Sequence, residues 1–264
     1  MGRRATVLLP LTFMEAVMHR FSHWAGVALA VLLAAPAHAD VEALRDHLAQ
    51  EYPDFAVDSI EPAPLEGMYE VISGTEVVYI SDDGRFIVRG ELLDMVEGRN
   101  LTAEVQERIS HREVDALGEE NMVVYEPEDG EVAHRITVFT DTTCPYCRDL
   151  HEELLEAIDD HGIQLRYLMF PRAGVDSPAA ETLRDIWCAD DPQRAMTLAK
   201  RGEEIAERDS DCEPPVAEQF QLGREIGVSG TPYTLLNEEG PVFAGYRPVE
   251  QLVQMSRDSG GFQR

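Results

Sequence analysis

Apolar and polar positions change period several times along the chain. Residues 122–125 and 134–140 are strand-like, and Leu150, Leu154, Leu155 and Ile158 then mark one face of a helix ended by Gly162. Residues 163–170 form a long apolar strand closed by Pro171. Strand, helix and strand within 37 residues predict a βαβ unit with parallel strands. Downstream, 178–187, 192–200 and a stretch after Pro214-Pro215 read as helices, each with proline at its start. The turn Gly227-Val-Ser-Gly-Thr-Pro232 precedes strands at 234–236 and 242–246, which flank Asn237-Glu-Glu-Gly240. A last helix turns Val249, Leu252, Val253 and Met255 inward, and the tail beyond it is polar.

Upstream the elements are shorter. Val41, Leu44, Leu48 and Ala49 predict a helix over 41–50, stopped before Pro53. Four short strands follow at 56–60, 67–73, 76–81 and 85–90, with a hairpin signal at Ser81-Asp-Asp-Gly84. A unit of about 60 residues buries little core, so pairing with a second copy would stabilise it; packing on its own chain is the other reading. Residues 102–117 set Val105, Ile109, Ala116 and Leu117 among charged neighbours, before Gly118. That pattern predicts a largely solvated connector helix, and a domain boundary falls there.

Composition adds an address. Residues 25–35 are an apolar run of signal-peptide length, and Ala37-His-Ala39 is a small-x-small cleavage site, so cleavage is expected before Asp40. A membrane anchor is the competing reading, but the run is short and breaks at Pro36. Removing residues 1–39 takes away three Arg and one Glu, which changes the formal charge from −28 to −30. Such an acidic chain argues against a nucleic-acid partner and suits a soluble exported protein. The basic residues are Arg with one exception, Lys200.

The candidate chemistry is a dithiol. Cys144-Pro-Tyr-Cys147 follows the strand at 134–140 directly, so a helix beginning at Pro145 and capped by Thr142 or Thr143 carries the first thiol at its N-terminus. Unpaired backbone N–H groups and the helix dipole there favour the thiolate, the form that attacks disulfides. Four cysteines in an exported chain read as two pairs, which leaves Cys188 with Cys212. A four-thiolate zinc site is the alternative, weakened by a spacing of 24 and by the lack of a nearby histidine at ligand spacing. No other metal site and no cofactor is indicated. On the dithiol helix, Arg148 and His151 read as surface residues.

Taken together, the elements are thioredoxin-like, and the sequence resembles the DsbC/DsbG family of periplasmic disulfide isomerases. The resemblance rests on Glu61-Pro-Ala-Pro-Leu-Glu-Gly-Met68, Val78-Tyr-Ile-Ser-Asp-Asp-Gly84, Thr137-Val-Phe-Thr-Asp141 with the dithiol, Arg166-Tyr167, Phe170-Pro-Arg172, Ile186-Trp-Cys188, Leu222-Gly223 and the Thr231-Pro232 turn. It implies an α/β architecture: a thioredoxin-like fold with a helical insert over 121–264, preceded by a small α+β, cystatin-like dimerisation domain over 40–98 and a linker helix over 99–120. It also implies a homodimer, a cis Pro232, and substrate contacts from Thr231, Pro232 and Tyr146 beside catalytic Cys144 and Cys147. Cys188 and Cys212 look like the structural disulfide of the DsbC branch, whereas Pro145 is more typical of the DsbG branch.

The expected activity is isomerisation or reduction of incorrect disulfides in misfolded or mis-oxidised exported proteins. A DsbD-type membrane reductase would keep the dithiol reduced, and a dimer cleft would add chaperone activity. A DsbG-like reductase of sulfenylated cysteines is the alternative. A DsbA-like monomeric oxidase would have no use for residues 41–98.

Overall fold

The computed structural model describes residues 37–206 and 211–260. The apolar run 25–35, on which the signal-peptide reading rests, lies outside them, as do 261–264 of the polar tail. Among the described residues no helix is long and apolar enough to cross a membrane.

Helix α1 (Ala37–Glu51) starts earlier than its apolar spacing suggests and runs through the expected cleavage point. Leu44 and Leu48 bury its inner face against Ile60, Tyr69, Val71, Val78 and Ile80. Those residues come from an antiparallel sheet of β1 (Ser59–Pro62), β2 (Met68–Ser73), β3 (Glu76–Ser81) and β4 (Ile87–Val88), in that order. The strand expected over 85–90 shrinks to two residues, because it sits at the sheet edge with a partner on one side only. A two-stranded hairpin that the pattern did not announce follows, β5 (Leu93–Asp94) with β6 (Arg99–Asn100).

Helix α2 (Leu101–Leu117) is capped by the Asn100 side chain, which accepts from the Ala103 N–H at 3.0 Å. It is not the solvated rod expected from its charges. Val105 and Ile109 pack on Val77 and Tyr79 of the small sheet, while Val114, one face further on, packs with Phe139, Leu168 and Phe170. The helix therefore has two narrow apolar patches rather than one stripe, which is why its overall pattern looks polar.

The larger unit is a five-stranded sheet in the order β11–β10–β8–β9–β7: β7 (Val123–Tyr125), β8 (His134–Thr140), β9 (Ile163–Met169), β10 (Tyr233–Leu236) and β11 (Val242–Ala244). β8 and β9 are parallel, joined by α3 (Pro145–His161). All seven residues of β9 are buried, because both faces of the sheet are covered. One face carries Ile136, Val138, Leu165 and Tyr167 against α3, α4 (Pro178–Trp187), α5 (Pro192–Lys200) and α7 (Val249–Asp258). The other holds Phe139, Leu168 and Phe170 against α2 and α6 (Val216–Glu225). Gly223 of α6 lies so close to the Phe170 ring that an added Cβ would meet it at 2.7 Å.

Candidate active site

The C-terminal end of β8 delivers the chain into a turn held by one buried carboxylate. Asp141 Oδ1 accepts from the Thr143 N–H and hydroxyl, both at 2.7 Å, and Oδ2 accepts from the Arg172 N–H at 2.9 Å and its Nε at 3.2 Å. Burial alone would raise the Asp141 pKa, but these hydrogen bonds outweigh it and hold the carboxyl below its ordinary value. Arg148, exposed as expected, donates from Nε to the Thr142 carbonyl at 2.8 Å and secures the same turn.

Helix α3 then begins at Pro145 with Cys144 itself as N-cap; neither Thr142 nor Thr143 takes that position. Both thiols are unbonded and buried, Cys144 with 1% of its surface exposed. Cys144 Sγ donates to the Thr231 carbonyl at 3.2 Å, across the cis Thr231–Pro232 bond that leads into β10. So the structure brings Cys144, Cys147, Thr231 and Pro232 together, with Tyr146 60% exposed on the outer side. Thr231 Oγ1 is buried with no hydrogen-bond partner among the described residues.

The two sulfurs differ electrostatically. Burial pushes the Cys144 pKa up, but the Thr231 side chain, the Cys147 N–H and thiol, and the Arg172 charge bring it below the ordinary thiol value. For Cys147, burial prevails and its pKa is raised, despite the opposing charge of Lys200. A thiolate-prone sulfur at the helix start with a protonated one a turn below is an arrangement that can supply an attacking and a resolving thiol.

Several neighbours escaped the sequence reading. Tyr246 stacks against Tyr146 with ring centroids 6.4 Å apart, and its hydroxyl donates to Glu153 Oε1. His151 is not solvated: it is fully buried and held between the Tyr167 hydroxyl at 2.9 Å and Thr197 Oγ1 at 3.1 Å. Burial lowers its pKa to about 3, so it is a neutral packing element. Cys188 and Cys212 are joined by a disulfide, which removes both sulfurs from any four-thiolate metal site.

Known proteins are similar to the chain in both of its parts. Residues 35–103 match the model of the disulfide bond isomerase N-terminal domain, and residues 120–259 match that of a thioredoxin-like domain. The thiol:disulfide interchange protein DsbC of Escherichia coli K12 is 37% identical over 86% of this chain and 93% of its own length. The protein of the same name from Salmonella typhimurium is likewise 37% identical, over 85% of this chain and 90% of its own. A crystal structure of a disulfide interchange protein from Neisseria gonorrhoeae overlays 53% of this chain and 96% of its own, at 28% identity and a TM-score of 0.46. With both family models matched in order and relatives covered almost end to end, the chain belongs to the DsbC family of thiol:disulfide interchange proteins.

Proposed function

We propose that this disulfide interchange protein works in the periplasm as an isomerase whose attacking sulfur is Cys144 and whose resolving sulfur is Cys147. The observation that carries the reading is the contact of Cys144 Sγ with the Thr231 carbonyl at a helix start, with a lowered thiol pKa. The Cys144 thiolate attacks an incorrect disulfide of an exported protein; one substrate sulfur joins Cys144 and the other leaves as thiolate. A substrate thiol then displaces Cys144 and the bond has moved, or Cys147 displaces the substrate and releases it reduced. The incoming strand takes the place of the Cys144–Thr231 contact and pairs with the backbone beside Pro232, under Tyr146. Electrons to return the dithiol to its reduced form come from a DsbD-type membrane reductase.

In this reading residues 1–39 are the cleaved signal, 40–98 the dimerisation domain, 99–120 the linker helix and 121–264 the catalytic domain. The edge strand β4 supports a second copy as partner: Phe86, Ile87 and Val88 are exposed, and among the described residues β4 pairs with β3 alone. The test is recovery of active ribonuclease from its scrambled, fully oxidised form, with Cys144→Ser as control. Wild type should restore activity and the variant should not; equal recovery would overturn the assignment. Pro145 favours a second activity, reduction of single sulfenylated cysteines, read by loss of sulfenic acid from an oxidised one-cysteine substrate.

A further inference from the structure

The chain uses Arg for every basic position but one, and that single Lys is buried beneath the dithiol. Lys200, at the end of α5, is 3% exposed. Its Nζ donates to Thr140 Oγ1 at 2.7 Å and to the Cys147 carbonyl at 3.3 Å, and lies 5.0 Å from the centre of the Tyr167 ring. No carboxylate lies within ion-pair distance of it among the described residues. A buried ammonium without a counter-ion is costly, and the Cys147 thiol is the group beside it whose ionised form would offset that charge. The Thr140 hydroxyl joins the two groups. It accepts from Lys200, and the Thr140 side chain also acts on the Cys147 thiol, lowering that thiol's pKa.

We propose that Lys200 is the proton acceptor and donor for Cys147, reached through the Thr140 hydroxyl. The inference rests on the assignment of Cys144 as the attacking and Cys147 as the resolving sulfur. When Cys147 resolves a mixed disulfide, its S–H proton passes to Thr140 Oγ while the Thr140 hydroxyl proton passes to the neutral Lys200 amine. The freed sulfur pair forms the Cys144–Cys147 bond. The Cys144–substrate bond breaks and its electron pair leaves with the substrate sulfur, so the dithiol is oxidised and the substrate reduced. In the reverse direction the Lys200 ammonium protonates Cys147 as the enzyme disulfide is opened.

The surroundings suit a proton that moves near neutral pH. Burial lowers the Lys200 pKa to about 8, opposed by Cys147, Cys144 and Asp141 and assisted by Arg148. Of the other titratable groups packed nearby, His151 on α3 is neutral, with its own pKa depressed by burial, Lys200 and Arg201. Tyr167 on β9 stays protonated because burial holds its pKa well above 10.0. The cysteines and Lys200 are therefore the groups that exchange the proton.

The experiment follows resolution of a mixed disulfide formed at Cys144 with a small chromogenic thiol, from pH 6 to pH 10. In wild type the rate should rise through about pH 8 and level off. Lys200→Met should resolve at least tenfold more slowly at pH 7 and shift its inflection above pH 9. Thr140→Val leaves the ammonium in place and should be slowed alike, while Thr140→Ser should recover the wild-type profile. If Thr140→Val resolves at the wild-type rate, or Lys200→Met keeps the wild-type inflection, the relay is wrong. Should Lys200→Met fail to fold, the Thr140 pair decides alone. The cysteine assignment is read separately: Cys147→Ser should accumulate the mixed disulfide whatever stands at 200, and failure there counts against the site assignment instead.

Discussion

At the scale of single residues, the turn before the dithiol depends on the buried carboxylate of Asp141. It accepts four hydrogen bonds from Thr143 and Arg172 and so fixes the turn from which Cys144 starts its helix. Asp141→Asn should therefore cost on the order of 2–3 kcal/mol of stability at pH 7, read from urea melts. Because the folded pKa lies below the unfolded one, near 3.9, the carboxylate's contribution is complete above that value and disappears as pH falls through the folded pKa. The gap between wild type and variant should thus close at the acid end; a constant gap would mean that the charge is not what stabilises the turn. Cys144 should likewise ionise below the ordinary thiol value, read as thiolate absorbance lost in Cys144→Ser. The dithiol was legible in the sequence because its spacing is local. Lys200 and His151 were not, because a lysine or a histidine at a polar-looking position reveals its burial only once α3, α5 and β9 have packed together.

At the scale of elements, legibility followed the strength of each local signal. Proline at the start and a Ser or Asp cap fixed α4 and α5: Ser177 accepts from the Ala180 N–H at 3.2 Å and Asp191 from the Arg194 N–H at 2.9 Å. Strands β8 and β3 also fall where their apolar runs stand. Edge strand β4 keeps only two residues of the run expected over 85–90 and the β5–β6 hairpin was not foreseen, since two-residue strands are defined by pairing and leave no period to read. Close approach is equally invisible in sequence. Gly223→Ala would push the Phe170 ring aside and should lower stability by about 1–3 kcal/mol, with the thermal midpoint as readout. Cutting the Cys188–Cys212 link by Cys212→Ala with Cys188→Ala frees a loop of 24 residues, worth about 3 kcal/mol in the unfolded chain. That loss should appear in denaturant melts while the Cys144 titration stays in place; a displaced titration would show that the helical insert also positions the dithiol.

At the scale of the whole molecule, charge and shape oppose one another. The chain after residue 39 carries a formal charge of −30, so two copies repel, yet Phe86, Ile87 and Val88 leave an apolar sheet edge exposed. Pairing of two β4 edges would bury that surface and satisfy the outward backbone groups, so the balance is set by ionic strength. The Debye length falls from about 10 Å at 0.1 M to about 3 Å at 1 M salt, which removes long-range repulsion while leaving apolar burial intact. The association constant should therefore rise with salt, by at least tenfold between these limits, the opposite of an interface held by ion pairs. Sedimentation equilibrium on residues 40–264 measures it directly. Phe86→Asp together with Val88→Asp should give a monomer at every salt concentration, with the Cys144 titration unmoved because the dithiol lies in the other sheet's domain. A dimer that weakens as salt is added would show that the copies meet through charged groups rather than through β4.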